Sequence, residues 1–362
     1  HDPRAITPNS WQWNFSIEQQ LAQDTSLELA YVGNRGIHLT DYYDLNTVPV
    51  DNRIASAFAP SGNAGAVNAL RPAPTYGSVA FFSRNADSYY HALQVLLRSR
   101  LGNHSTFQAS YTWSHSIADF DLADSSGGLN PPAFTDFHDP GLDRGNSTIN
   151  RPNIFVGNAV FFLPKFAGAN GFIKNALGGW EFNTIATAEN GNSITIYANT
   201  PSTPGAGLNS LAGTGFTTNI RPNIVPGVSC TAGTSGDQVI NPDAFTFNGF
   251  AIGQDVGNEP RGYCHAPNYV NFDLALYKNF HATERLDIQF RFDAFNALNH
   301  PNFRGDQIGT TLNGYSATCG GVACTPANNV ITTTAAPTVN NFGQATLTTG
   351  GRQFQYGLKF IF

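Results

Sequence analysis

Arg352-Gln-Phe-Gln-Tyr-Gly-Leu-Lys-Phe-Ile-Phe362 alternates: Phe354, Tyr356, Leu358, Phe360 and Phe362 share one side of an extended chain, with Gln353, Gln355, Gly357 and Lys359 opposite. Alternation at period two describes a strand with one apolar and one polar wall. In a soluble sheet the apolar wall faces a protein core. In a membrane-spanning barrel it faces lipid, and the polar wall faces a wet lumen. One strand does not separate these cases, so the rest of the chain must.

The same pattern recurs upstream, giving about nine strands in all. Trp11 to Leu21 places Trp11, Trp13, Phe15, Ile17 and Leu21 on one face and Asn14, Glu18 and Gln20 on the other; a tight turn at Ala22 to Thr25 leads to Leu27, Leu29 and Tyr31. Tyr89 to Leu101 and Ser105 to Ile117 meet at Gly102-Asn103, a hairpin signal. Their apolar sets are Leu93, Val95 and Leu97, then Phe107, Ala109, Tyr111 and Trp113, with Arg98 on the polar side. Asn153 to Leu163 is apolar on both sides, which leaves its facing open, and Trp180 to Glu189 follows. The clearest pair is Tyr269 to Phe280 and Glu284 to Ala297: Leu286, Ile288, Phe290 and Phe292 alternate with Gln289, Arg291 and Asp293.

Between these strands, short or moderate turns interleave with long connections at roughly 33 to 88, 118 to 152, 190 to 268 and 298 to 351, rich in Gly, Pro, Asn, Ser and Thr. A soluble domain seldom tolerates several structureless loops of that length. Short turns on one side and long loops on the other suit a barrel with periplasmic turns and extracellular loops. Tryptophans and tyrosines gather near strand ends, where amphipathic rings favour the membrane–water boundary. Charged strand residues fall almost entirely on the polar wall. Lys278 is the exception, expected to snorkel from a position next to a turn.

Composition agrees. Of 362 residues, 41% are hydrophobic and 12% charged, with Gly 36, Phe 28 and Tyr 13. No apolar run reaches the roughly 18 residues of a membrane helix, and a mean hydropathy of -0.22 fits a barrel, whose membrane signal lies in alternation. A formal charge of -6 argues against nucleic acid as a partner. The chain begins at His1 and contains no Met, which reads as a fragment or processed product. Cys230, Cys264, Cys319 and Cys324 lie in connecting segments, as suits an oxidising compartment. Three connectivities can be drawn, and proximity favours Cys319 with Cys324 and Cys230 with Cys264. A zinc site among them lacks a partnering pair at suitable spacing.

No nucleophile elbow, phosphate loop or His-Glu-x-x-His motif is present, and neither an enzyme nor a cofactor is expected. Trp113-Ser-His115 and Phe137-His-Asp139 place His near hydroxyl or carboxylate groups without a triad's geometry. Asp119, Asp121 and Asp124 lack the glycine and distal glutamate of a calcium loop and read as a solvated acidic stretch.

Several segments resemble the carboxyl-terminal barrel of TonB-dependent outer-membrane receptors, in particular the Oar-like group with an amino-terminal carboxypeptidase-regulatory-like domain. They are Leu27-Glu-Leu-Ala-Tyr-Val-Gly-Asn-Arg-Gly-Ile-His38, Gly178-Gly-Trp-Glu-Phe182, Asn271-Phe-Asp-Leu-Ala-Leu-Tyr-Lys-Asn-Phe280 and Arg291-Phe-Asp-Ala-Phe-Asn-Ala-Leu-Asn-His-Pro-Asn-Phe303. The resemblance spans nearly the whole chain, 1–362. It implies an all-β fold: an antiparallel transmembrane β-barrel portion, the last nine of about 22 strands, with the plug and earlier strands outside this chain. It also implies the bacterial outer membrane as location, membrane lipid and the barrel-assembly machinery as partners, and contact with the TonB complex through the missing plug region. Phe354, Tyr356, Leu358, Phe360 and Phe362 would form the assembly signal. Arg98, Gln289, Arg291 and Asp293 would face the lumen or plug. The implied function is TonB-energised uptake of a scarce nutrient, whether small molecule, glycan or peptide, which this portion would not perform alone. Two rivals stand beside it: a non-transporting surface or adhesion protein on the same barrel, and a secreted glycan-binding β-protein.

Overall fold

The computed structural model describes residues 6–60, 63–102, 105–120, 140–164, 178–198, 211, 213, 220–231, 233–283, 285–312, 316–334 and 341–361. Nine long strands dominate: β1 Asn9–Ala22, β2 Thr25–Asp44, β3 Ala80–Leu101, β4 Ser105–Ala118, β5 Asn153–Phe162, β6 Trp180–Glu189, β7 Tyr269–Thr283, β8 Leu286–Phe295 and β9 Gln353–Ile361. Each pairs antiparallel with its sequence neighbour in an up-and-down meander, and Gly145–Asn146 adds a short ladder on β4. Among the described residues β1 and β9 do not pair with each other, so the sheet is open.

The register carries the alternation across the whole sheet. One row runs Ile17, Leu29, Val95, Tyr111, Phe155, Ala188, Val270 from β1 to β7. Another runs Phe161, Phe182, Leu276, Phe292, Tyr356 from β5 to β9. These rows settle β5. Phe155, Gly157, Ala159 and Phe161 join the apolar wall, while Ile154 and Val156 lie in register with Thr112 and Ser110 on the polar one.

The apolar wall is uncovered: Phe15, Leu93, Trp113, Phe354, Tyr356 and Leu358 are all exposed, Tyr356 by 69%. The main hydrophobic core draws nothing from the nine strands among the described residues. It is built from Ala57, segments between 194 and 266, and segments between 308 and 345. A soluble sheet would bury its apolar wall in such a core. This one leaves it free along its whole width, as a lipid-facing wall must be.

Two expectations about the loops are corrected. The connection expected at 33 to 88 is 45–79, because β2 continues to Asp44 and β3 begins at Ala80. Gly33 and Gly36 do not end the strand; a Cβ on Gly33 would lie 2.2 Å from the Trp13 indole, so glycine serves close packing there. Nor are the loops structureless. Two-residue ladders pair Ser193–Ile194 with Cys264–His265, Asn223–Ile224 with Phe245–Thr246, and Ala317–Thr318 with Thr333–Thr334, while Tyr197–Ala198 runs parallel to Thr311–Leu312. Phe247, Phe250, Ile196, Ile240 and Phe342 are fully or almost fully buried between them, each such side chain contributing about 1.5–3 kcal/mol. The loops therefore form one folded cap. The 45–79 tip has a smaller core of Val48, Ala59 and Val67, and a buried Arg71–Asp44 ion pair at 2.8 Å.

Charge placement needs correction as well. With β2 and β3 longer than expected, Arg35 and Asp87 fall on the apolar wall, level with Trp11, and pair at 3.1 Å. The Arg35 guanidinium lies 5.0 Å from the Tyr89 ring centroid, and Arg144, from the β4–β5 loop, lies 4.9 Å from the same ring. Lys278 is not adjacent to a turn, since β7 runs on to Thr283. It stands in register with Trp180 and Phe290, is 3% exposed, and donates to the Gly178 carbonyl oxygen. Its ammonium is satisfied by the β5–β6 turn and by the ring of Trp180, 5.3 Å away.

Candidate ligand-access site beneath the cap

Where the cap meets the upper ends of β6 and β7, a cleft of about 1100 Å³ opens between three loops. Glu189 ends β6 and stands opposite Tyr269 at the start of β7, both on the polar wall. The segment after Glu189 turns into the ladder at Ser193 and Ile194, a second side comes from Phe303 to Ile308, and a third from Thr148 to Arg151.

Asparagines hold this rim in place. Asn153 donates to the Asn190 side-chain oxygen at 2.6 Å, and Asn190 donates to that of Asn268 at 3.1 Å. Asn302, almost fully buried, mimics a strand neighbour: its amide donates to the Val270 carbonyl and its oxygen accepts the Val270 N–H, both at 2.8 Å. Asn296 has a positive φ of 47° and brackets the turn through the carbonyl and N–H of His300. Asparagine tolerates that conformation better than most residues. The Asn-rich stretch after β8 is thus turn architecture that fixes one side of the cleft.

Its charges are paired. Arg151 donates to Glu189. Arg304 grips Asp306 with two parallel bonds, Nε to Oδ1 at 3.1 Å and Nη2 to Oδ2 at 2.6 Å. That guanidinium holds the Asp306 carboxyl below the usual carboxylate range. Behind the cleft, burial pushes the His265 imidazole below its ordinary value.

The sequence-derived candidates do not converge on this cleft. Gln289, Arg291 and Asp293 lie on the polar wall of β8 in a cross-strand network: Arg291 donates to Gln289, Gln289 to Asn279, and the Tyr277 hydroxyl to Asp293 at 3.1 Å. Arg98 sits near the opposite, short-turn end, 3.7 Å from Glu28, in a separate concavity of about 770 Å³. Phe354, Tyr356, Leu358 and Phe360 form the exposed wall of β9, and Phe362 lies outside the described residues. Disulfides join Cys230 to Cys264 and Cys319 to Cys324, all within the cap. His115 bonds Asn146 at 2.8 Å and Asp119 pairs with Arg144, whereas Phe137 to Asp139, Asp121 and Asp124 fall outside the described residues. Among the described residues no group of three or more metal-ligating side chains gathers. Sequence reasoning missed Arg151, Glu189, Tyr269, Arg304 and Asp306 as a group, because nothing local marks residues that only the cap brings together.

An antiparallel meander with one lipid-compatible wall, one polar wall and a loop cap at one end defines an outer-membrane β-barrel. A family model described as an outer membrane beta barrel domain matches residues 1–355, and the chain belongs to that family, which places it in the bacterial outer membrane. Among solved structures, that of the outer membrane transporter YddB from Escherichia coli is similar over 99% of this chain, at a TM-score of 0.46 and 8% identity. This chain spans 33% of that protein. No curated protein matches the sequence.

Proposed function

We propose that this chain is the carboxyl-terminal barrel portion of a TonB-dependent receptor of the Oar-like group, which takes up a scarce nutrient with TonB-derived energy. The observation that carries this is the free outer edge of the sheet on both sides. Among the described residues β1 and β9 each pair along one edge only, and lipid does not satisfy open backbone groups, so in the membrane those edges call for partner strands. A barrel large enough to need them has a lumen wide enough for a plug, and Gln289, Arg291 and Asp293 are proposed to face it. The cap and its cleft then sit on the import route, above the polar wall. The barrel-assembly machinery would read the β9 aromatics.

The test uses the native host with its complete gene. A deletion strain and its complemented partner are compared for uptake of a panel of ferric chelates, oligosaccharides and peptides, with and without a protonophore. Loss of one energised uptake activity on deletion supports the proposal. Identical uptake of every panel member, together with lost attachment to surfaces, would favour the adhesion protein instead.

A further inference from the structure

The cleft beneath the cap has a chemistry that narrows its occupant. We infer that it binds a neutral, polyhydroxylated ligand of oligosaccharide size. This deepens the transport proposal and rests on it only in taking the cleft to lie on the import route.

Charge is the first argument. The charged residues lining the cleft are Arg151, Glu189, Arg304 and Asp306, and they form two ion pairs within it. A ferric chelate carrying several negative charges, or any phosphorylated ligand, would meet no surplus of positive charge, and recruiting either arginine would set the ligand's charge beside that arginine's own carboxylate partner. A neutral ligand leaves both pairs intact. It can also use them, because a paired guanidinium retains N–H donors and a paired carboxylate retains lone pairs.

The remaining lining supplies the second argument. Asn192, Gln307 and Thr310 bring amides and a hydroxyl that both donate and accept, matching hydroxyl groups that do the same. Tyr197 and Tyr269 add aromatic surface for the apolar C–H faces of a sugar ring. Size is the third. At about 1100 Å³ the cleft lies at the upper end of small-molecule sites, room for several linked rings rather than one. A peptide would call for apolar pockets at alternating side chains, but Ile194 and Ile308 are buried in the cap core, and the exposed Ile149 and half-buried Phe303 are the remaining large aliphatic or phenyl groups of the lining, too few for such a row.

The experiment uses the full-length receptor purified in detergent, with no TonB present. Short neutral α-glucan, β-glucan, xylan and mannan oligosaccharides are titrated by calorimetry beside a ferric catecholate and a mixed tripeptide pool. At least one neutral oligosaccharide should bind. Gln307→Ala and Arg304→Ala should each weaken it about tenfold or more, whereas Arg98→Ala in the distant concavity should not, with unfolding temperatures unchanged in all three. Absence of glycan binding, preference for the ferric catecholate or peptides, or binding indifferent to the two cleft variants would overturn the inference. The two proposals fail separately. Cleft binding of a glycan without energised uptake removes transport alone, and TonB-dependent uptake of a ferric chelate by a receptor that ignores glycans removes only the ligand class.

Discussion

Val95 offers a sharp test of which wall meets lipid. It lies midway along the membrane-facing stretch of β3, in register with Leu29 on β2 and Tyr111 on β4, while its chain neighbour Gln94 points the other way between Ala30 and Thr112. Arginine at the bilayer midplane of a barrel's lipid face costs about 2–4 kcal/mol, against far less on the lumen side. Val95→Arg should therefore lower the folding equilibrium by a factor of roughly thirty to nearly a thousand. Gln94→Arg exchanges one polar lumenal group for another, beside the polar residue Thr112, and should change stability by less than about 1 kcal/mol. The measurement is urea-dependent folding of the full-length protein into phospholipid vesicles, followed by tryptophan fluorescence and heat-modifiable gel mobility. Equal destabilisation by both variants, or a greater loss from Gln94→Arg, would show that the wall assignment is wrong.

Replacing Gly33 with alanine should destabilise the same preparation by about 1–3 kcal/mol, because the new Cβ would stand 2.2 Å from the Trp13 ring; an unchanged midpoint would show that the contact yields freely. Cys230→Ser with Cys264→Ser removes a bridge spanning 34 residues, for which loop-closure entropy predicts a loss of about 3–4 kcal/mol. That loss should appear as faster hydrogen exchange in the cap, while barrel strands keep their protection. His265 gives a pH signature: its folded-state pKa is lowered by burial, so the unfolded cap binds the proton more readily. Cap stability should be intact above about pH 6.5 and decline as pH falls below it, and exchange at the Ser193–Ile194 ladder, corrected for intrinsic rate, should show this in wild type but not in His265→Gln. Removing Phe362 from the complete protein should reduce its outer-membrane level without destabilising the molecules that do insert; normal surface abundance would count against the proposed assembly signal.

How much of this was legible beforehand follows from what is local. The period-two pattern of Phe354 to Phe360, Leu286 to Phe292 and Trp11 to Ile17 is written in neighbouring residues, and those strands and their facing stand as read. Asn153 to Phe162 could not be oriented from its own residues, since both its walls are apolar; only pairing with Ser110 and Thr112 decides it. The connection placed at roughly 33 to 88 is shorter because Gly33 and Gly36 sit inside β2, where a glycine allows close approach rather than a turn, a difference its neighbours in sequence do not reveal. The cap was invisible for a related reason. Its ladders are two residues long, too short for any periodicity, and its core joins Ala57 to Phe250 and Phe342 across great sequence separations.

The cap also joins loops that leave the sheet at well-separated strands. A Cβ on Gly213 would lie 1.9 Å from the Arg53 carbonyl oxygen, and one on Gly253 would lie 2.6 Å from the Ile54 Cα; both glycines have positive φ. The loop after β6 therefore rests directly on the Arg53–Ala57 helix of the loop after β2. On a flat sheet β3 and β6 stand about 14 Å apart, three spacings of roughly 4.8 Å, and the loop after β8 lies farther still. Loops of this length reach across such distances, and their shared core ties together the ends of strands that the sheet itself connects only through their neighbours. Ser193 and Ile194 belong both to the ladder with Cys264–His265 and to the cleft lining, so the backbone that completes the cap also shapes the cleft. Cap packing and the shape of the cleft are thus set by the same contacts, and a change that loosens the cap core should alter the cleft before it unpairs any membrane strand.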